Sequence, residues 1–300
     1  MKIAIIGLGK MGQAIAHRAM QAGFTVFGFD PNATTAQEAA ECGVRIVNAL
    51  HELKNKDIHV FWLMVPQGTI VDNVINELRS VVQAHDIIID GGNSKFSDSM
   101  QRAQELAKEH IYFMDCGTSG GIHGQEHGFC LMIGGDKTAY EKIESLFKAV
   151  AMPGGYAYLG TAGAGHYVKM VHNGIEYGIL QAYAEGFHLL KDGAFKNEHL
   201  DLATIAALWN HGSVIRSWIL ELVYDIMKED PQLSDIEGKI ASTGMGLWTV
   251  EQAHESGIPV PVIEESLNVR AWSEKTGGNY ATKVVAMLRN KFGGHAVLKK

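Results

Sequence analysis

Only 3 of the 300 residues are cysteine and only 6 are proline. Cys42, Cys116 and Cys130 are odd in number and widely spaced, which fits neither a disulfide framework nor a zinc site. They are expected as buried free thiols in a reducing compartment. With 46% apolar and 20% charged residues, the chain is not disordered or low in complexity, and it has enough apolar side chain for a sizeable core. No uncharged apolar run approaches the ~18 residues a spanning helix needs, and the N-terminal stretch has neither the length nor the cleavage pattern of a signal peptide. A soluble, cytoplasmic protein without a membrane partner is expected. Excess basic charge is lacking as well: 26 Lys and Arg against 33 Asp and Glu give −7. That sign argues against nucleic acid as a partner. Any anionic ligand has to be held by a local site, because the overall field repels it.

The first half alternates short β-branched runs with helical spacing. Ile3–Ile6, Thr25–Phe29, Ile58–Met64, Ile87–Asp90 and Tyr112–Cys116 read as strands, with further strands near Phe129–Ile133 and Tyr156–Leu159. Gln67–Val82 and Ser97–His110 read as helices. Several strands are apolar on both faces, as parallel strands covered by helices on each side must be. After Gly165 the signal turns helical: His166–Leu190, Leu202–Trp209, Val214–Met227, Leu247–His254, Ile263–Trp272 and Tyr280–Asn290. The expected fold is α/β, a doubly wound dinucleotide-binding (Rossmann) domain over 1–160 followed by an all-helical domain over 161–300. The boundary is expected near residue 160, after the Gly-rich segment Met152-Pro153-Gly154-Gly155.

Gly7-Leu8-Gly9-Lys10-Met11-Gly12 follows the first strand and opens a helix, and an acidic residue, Asp30, ends the second strand. Strand, turn, helix, strand and acid in this order form a dinucleotide fingerprint. Gly7 permits the tight turn, Gly9 a close approach to a pyrophosphate, and Gly12 close packing of helix on strand. The diphosphate is expected on the helix N-terminus, where free N–H groups and the dipole favour negative charge. A carboxylate at Asp30 suits the ribose hydroxyls and repels a 2′-phosphate, and the uncharged Pro31 and Asn32 offer no rescuing cation. NAD is therefore expected rather than NADP. Asp30-Pro31-Asn32 is also a plausible turn with an N-cap. Met64 and Val65, at the end of a strand, and Asn93 complete the expected cofactor contacts.

Lys169, His172, Asn173 and Glu176 stand at i, i+3, i+4 and i+7, on one face of a helix. At 1.5 Å per residue, Lys169 and Glu176 lie about 10 Å apart along the axis, enough to bracket a small extended substrate. The competing reading is an ordinary solvated face. Glycines around the stripe favour close packing, and the helix begins where the nucleotide domain is expected to end. His123 and His127 are four apart in a Gly-rich segment and read as surface or loop residues; no metal is expected.

The segment His172-Asn173-Gly174-Ile175-Glu176-Tyr177, with Lys169 before it, resembles the signature helix of the 6-phosphogluconate dehydrogenases. Asp90-Gly91-Gly92-Asn93-Ser94 and Gly117-Thr118-Ser119-Gly120-Gly121 resemble that family's two other substrate-side motifs. The wider β-hydroxyacid dehydrogenase family shares the nucleotide domain and the Lys-x-x-x-Asn pair. At 300 residues the chain matches the short form of the family.

The resemblance implies oxidation of C3 of 6-phosphogluconate with hydride transfer to NAD, loss of CO2, and release of ribulose 5-phosphate in the pentose phosphate pathway. Lys169 would take the 3-hydroxyl proton and later polarise the keto oxygen as the cation. Glu176 would protonate C1 of the enediol, and Asn173 and His172 would orient the hydroxyls. Ser119, Gly120 and Gly121 would hold the substrate carboxylate, with Asn93 at the reacting end. Tyr177, Arg270, Arg289 and His295 would hold the phosphate, the last two reaching into a neighbouring subunit of a homodimer or homotetramer. Lysine is a base only as the free amine, so its charged form must be destabilised by about 4 kcal/mol from its ordinary pKa near 10.4.

One position departs from the pattern. Leu247, in Gly244-Met245-Gly246-Leu247-Trp248-Thr249, stands where a basic residue is usual. Two other readings remain open: a β-hydroxyacid dehydrogenase for 3-hydroxyisobutyrate or tartronate semialdehyde, and a non-catalytic NAD-binding sensor. The first has no evident need of Glu176 or a phosphate clamp, and the second has no use for the Lys169 and Glu176 pair.

Overall fold

The computed structural model describes residues 1–241 and 244–300. They divide into two compact units, Met1–Met170 and Val171–Lys300. The first contains β1 (Lys2–Ile6), α1 (Lys10–Gln21), β2 (Thr25–Phe29), α2 (Ala33–Glu41), β3 (Arg45–Ile46), β4 (Val60–Leu63), α3 (Thr69–Leu78), β5 (Ile87–Asp90) and α4 (Phe96–Ala107). It continues with β6 (Tyr112–Ser119), α5 (Gly124–His127), β7 (Phe129–Gly135), α6 (Lys137–Val150), β8 (Ala151–Gly160) and the start of α7 (Ala164–Asp192).

The strands join in the order β3-β2-β1-β4-β5-β6-β7-β8. The order reverses between β1 and β4, so the loops after these two strands flank the crevice where such sheets take their ligands. β4 and β5 are buried throughout. Ile3, Ile5, Trp62 and Ile89 face one core cluster, while Ala4, Ile6, Phe61 and Ile88 face the other. This period of two across both faces is why the runs look uniformly apolar in sequence. All pairings are parallel except β6 with β7, which is antiparallel.

The second unit holds the rest of α7 with α8 (Leu202–Asn210), α9 (Trp218–Glu229), α10 (Met245–Glu255), α11 (Pro261–Thr276) and α12 (Tyr280–Gly293). Leu180, Ala184 and Phe187 of α7 form its core with Ala206, Val223, Ile226 and Leu288. Among the described residues, no helix is long and apolar enough to cross a membrane.

The α/β-then-helical architecture is as the sequence indicates, with differences in detail. The segment Val214–Met227 is not helical from its start: Val214 is fully exposed, and the helix begins at Trp218, where the Ser217 hydroxyl accepts from Leu220 N–H. The Gly-rich Met152–Gly155 is part of a strand. It lies inside β8, where the register against β7 shifts between Phe129 and Leu131. Nor are the thiols uniformly buried. Cys116 is, and burial raises its pKa, but Cys42 is exposed at the C-cap of α2 and Cys130 is exposed on β7.

Candidate active site

In the nucleotide loop, Gly7 has φ +92°, and a Cβ there would lie 2.5 Å from the Met64 carbonyl oxygen. A Cβ on Gly12 would lie 2.0 Å from the Gly7 oxygen. The turn, the helix and the end of β4 are thus in backbone contact, and only glycine fits. Gly9 is different: among the described residues, nothing beyond its own stretch of chain lies within 4 Å of where its Cβ would be. It is the N-cap of α1 without a capping side chain, and no acid occupies the first turn, which starts at Lys10 and Met11. The starts of α3, α4, α10 and α11 are likewise without a capping side chain, while α2, α6, α8, α9 and α12 are capped by Asn32, Asp136, Asp201, Ser217 and Asn279. An open, uncapped helix start beside a glycine turn fits a dinucleotide diphosphate.

The Asp30 carboxylate accepts from Leu8 N–H at 2.7 Å and Asn32 N–H at 2.9 Å. Asn32 in turn accepts from Thr34 and Thr35 N–H. The turn and the acidic function are therefore one device: the carboxylate that suits ribose hydroxyls also fastens the glycine loop to the end of β2. Leu8 is fully buried, with its side chain against Gly28.

On the β5 side, Asp90 is buried and accepts from Gly92 N–H at 3.0 Å and Ser94 Oγ at 2.6 Å. Asn93, at φ +56°, accepts from Thr118 N–H at 3.0 Å and directs its Nδ2 to the Thr118 carbonyl at 3.4 Å. Asn93 is thereby fixed beside the end of β6, where Ser119 leads into Gly120 and Gly121.

The start of α7 is held by a residue that sequence reasoning did not single out. Asp115, buried on β6, accepts from Gly163 N–H and His166 N–H, both at 2.7 Å. Gly117 lies so close to α7 that a Cβ there would sit 2.4 Å from the Lys169 Cβ. Lys169 is only 5% exposed. Along α7 the expected order is inverted: His166 and Lys169 are buried, and His172, Asn173 and Glu176 half-buried, while Val168, Ile175 and Ile179 are exposed. A solvated polar face is thereby ruled out. Desolvating such groups is costly unless they are paired or used. His172 Nδ1 lies 3.0 Å from Asn173 Oδ1, and Asn173 Nδ2 lies 2.9 Å from Met245 Sδ.

The second unit gathers a cationic cluster. Arg270 on α11 is buried, with its guanidinium carbon 3.3 Å from the centre of the buried Tyr177 ring. Gly246 packs on the same ring; a Cβ there would lie 2.4 Å from Tyr177 Cε2. Burial lowers the Arg270 pKa to about 10, opposed by Tyr177 and aided by the Arg289 charge. Arg289 is buried, and its pKa is lowered by burial and raised by Tyr177 and Glu176. Burial, then Arg289 and Arg270, lower that of His295. A chain of net charge −7 thus gathers three basic groups, with Arg270 stacked on the Tyr177 ring.

Arg289 and His295 belong to this cluster within the chain. The tail is docked at home. Asn290 Nδ2 donates to the His295 carbonyl at 2.8 Å, Val297 packs on the helical core, Glu237 N–H donates to the Leu298 carbonyl, and Lys300 N–H to that of Asp235. Leu247, on α10, is 48% exposed, and Lys239 is engaged with Glu237 at 3.0 Å. His123 and His127 lie in short helical turns, and among the described residues no cluster of His, Cys, Asp or Glu has the makings of a metal site.

Residues 2–163 match the family model described as the NAD binding domain of 6-phosphogluconate dehydrogenase, and residues 165–295 match its C-terminal domain. The chain is 40% identical, over its full length and 99% of the relative's, to a Haloferax volcanii protein described as 6-phosphogluconate dehydrogenase, NAD(+)-dependent, decarboxylating. It is 42% identical, over the full length of both, to a Bacillus subtilis protein described as a putative 6-phosphogluconate dehydrogenase. The structure of the Plasmodium falciparum 6-phosphogluconate dehydrogenase superposes with a TM-score of 0.83 at 30% identity, covering 92% of this chain and 62% of that one. A Salmonella typhimurium 3-hydroxyisobutyrate dehydrogenase shares the fold at TM-score 0.77 and 18% identity, covering 95% of this chain and 99% of that one. Family models over both units and full-length identity of 40% or more carry one conclusion: the chain belongs to the 6-phosphogluconate dehydrogenase family.

Proposed function

We propose that this protein oxidatively decarboxylates 6-phosphogluconate to ribulose 5-phosphate and CO2, with NAD as its preferred cofactor. The observation that carries the reading is the inverted helix α7, which buries Lys169 and half-buries Asn173 and Glu176 while leaving apolar residues outside. The cluster of Tyr177, Arg270, Arg289 and His295 supports a phosphorylated substrate over 3-hydroxyisobutyrate, which carries no dianion to satisfy it.

Gly7, Gly9, Lys10, Met11 and Gly12 would hold the dinucleotide diphosphate through the start of α1, with Met64 and Val65 lining the loop beside it. When bound, the nicotinamide supplies the hydride acceptor. Asp30 supports NAD, since its carboxylate accepts from hydroxyls and disfavours a 2′-phosphate. Lys169, as the free amine, takes the proton of the C3 hydroxyl while the C3 hydride departs. The resulting ammonium polarises the C3 keto oxygen, the C1–C2 bond breaks to release CO2, and the keto oxygen takes the proton. Glu176 protonates the carbon that lost CO2, and Lys169 recovers its proton as the ketone forms. Ser119, Gly120 and Gly121 receive the carboxylate, and Asn93, His172 and Asn173 orient the hydroxyls.

Self-association is part of the proposal. Val214, Leu189, Val262, Leu208 and Phe195 of the second unit are 62–100% exposed and offer apolar surface to a second copy. A homodimer or homotetramer would cover it. The free thiols suit a cytoplasmic setting.

The test is a steady-state comparison of 6-phosphogluconate with 3-hydroxyisobutyrate, each with NAD and NADP, following reduced cofactor and CO2 together. Equal yields of both products from 6-phosphogluconate and NAD are expected. Reduction without CO2, or turnover only of 3-hydroxyisobutyrate, overturns the reading.

A further inference from the structure

In the first unit a single guanidinium ties together the two loops that the proposed chemistry depends on. Arg102, on α4, is 5% exposed. Its Nε donates to Asp72 Oδ1 on α3 at 2.7 Å, its Nη1 to Asp90 Oδ2 at 3.3 Å, and its Nη2 to the Gly68 carbonyl just before α3 at 3.2 Å. Asp90 spends its other bonds on Gly92 N–H and Ser94 Oγ, folding the loop 91–94 around its carboxylate. Gly92 lies against the loop after β4; a Cβ there would be 2.4 Å from the Val65 oxygen. From this loop Asn93 reaches the Thr118 backbone through both ends of its amide.

We propose that Arg102 is a positioning residue for the hydride-transfer step, fixing the loop that carries Asn93 against the loop of Met64–Gly68. The inference rests on the function proposed above, since it takes those loops to be the substrate and cofactor sides of one reaction. Four observations carry it. The side chain is buried although its chemistry prefers water. Each of its three nitrogens donates a hydrogen bond. Two of its acceptors, Asp90 and the Gly68 carbonyl, belong to the two loops in question. And among the described residues Asp90 pairs with no second cation, so the geometry of loop 91–94 depends on where this one guanidinium sits. A planar fork with fixed directions holds a geometry that a flexible ammonium does not.

A structural staple and a positioning residue differ in what they change. A staple alters how much enzyme is folded. A positioning residue alters the alignment of donor and acceptor, and a misplacement of about 1 Å lowers the rate about 100-fold. Arg102→Lys keeps the charge beside buried Asp90 but loses the fork. Asp72→Asn weakens one anchor from a partner that is 49% exposed, so the fold is spared. For both, kcat per folded molecule is expected to fall about 10- to 100-fold, with KM for 6-phosphogluconate within about twofold of wild type. The primary isotope effect on kcat with substrate deuterated at C3 is expected to rise, because hydride transfer becomes more rate-limiting; the amount of active enzyme cancels from that ratio. Backbone amide exchange at Gly92 and Thr118 is expected to quicken in Arg102→Lys. A lowered melting temperature with unchanged kcat per folded molecule and unchanged isotope effect overturns the proposal. If the wild type does not oxidise 6-phosphogluconate, the function proposed above fails on its own. The exchange rates still decide whether Arg102 holds the loop, and unchanged rates refute it.

Discussion

Arg270 lays its guanidinium 3.3 Å from the centre of the Tyr177 ring, and its Nη1 and Nη2 are buried without a hydrogen-bond partner among the described residues. A buried cation with unused donors is costly, and evolution seldom leaves one without a ligand to receive it. Stacking on Tyr177 holds the fork in place while those donors stay available.

Arg270→Met is expected to raise KM for 6-phosphogluconate about 100-fold or more, since two charge-assisted hydrogen bonds of about 1.5–3 kcal/mol each are lost. NAD binding is expected to be unaffected. Without phosphate the same variant is expected to melt at a higher temperature than wild type, because a desolvated charge has been replaced by an apolar chain of similar length. Added phosphate is expected to stabilise only the wild type. Thermal melts with and without phosphate, paired with steady-state kinetics, check both halves; a variant with unchanged KM removes Arg270 from the site.

Lys169→Met is expected to lower kcat about 100- to 10,000-fold, the usual range for losing a general base, while NAD affinity stays near wild type. Lys169 sits where Gly117 has no side chain to displace it, so methionine is expected to fit without disturbing β6. Titrating NAD by tryptophan fluorescence separates binding from chemistry. Retention of more than about a tenth of wild-type kcat rejects the base role.

The parts of the fold written as contiguous patterns were legible in the sequence. The Gly7–Gly12 loop, the two-faced apolar strands and the polar stripe at Lys169, Asn173 and Glu176 each obey a local period, and the structure forms them where that period places them. Asp115 and Arg102 were not legible, because their partners lie far along the chain: Asp115 bonds Gly163 and His166, and Arg102 bonds Gly68, Asp72 and Asp90. An isolated Asp in a strand or Arg in an amphipathic helix gives no sign of this. The packing of the tail depends on distant partners in the same way. Phe292–His295 signals docking, but only the Asn290, Glu237 and Asp235 contacts say onto what. Val214 and Ile215 are apolar and extend the helical pattern of α9 too far toward the N-terminus, whereas the hydroxyl cap at Ser217 marks its beginning.

Asp30→Asn tests how far cofactor choice and loop geometry share one side chain. The carboxylate accepts from two backbone N–H groups with different oxygens, and an amide has one oxygen. Losing a bond to a charged acceptor costs about 1.5–3 kcal/mol, so kcat/KM with NAD is expected to fall about 10-fold or more. NADP is expected to gain less than NAD loses, since Pro31, Asn32 and Ala33 supply no cation for the 2′-phosphate. Parallel kcat/KM values for the two cofactors decide it. A wild type that prefers NADP rejects the assignment of Asp30.

Burial, then the charges of Arg289 on α12 and Arg270 on α11, hold the His295 imidazole below its ordinary value of 6.5. Above pH 6.5 this depression leaves stability unchanged. As pH falls from there through the folded pKa, the unfolded chain takes up a proton that the folded chain refuses, and stability is lost. The free protein is therefore expected to weaken on acidification, and His295→Asn, which has no proton to refuse, is expected to lose less. A bound phosphate dianion reverses the preference by favouring the imidazolium. Substrate binding between the depressed pKa and about pH 7 is therefore expected to take up a fraction of a proton, and affinity to rise as pH falls toward about 6, where the phosphate itself begins to protonate. Calorimetric titrations in buffers of different ionisation enthalpy measure that uptake directly. An uptake equal in wild type and His295→Asn excludes His295 from the phosphate site.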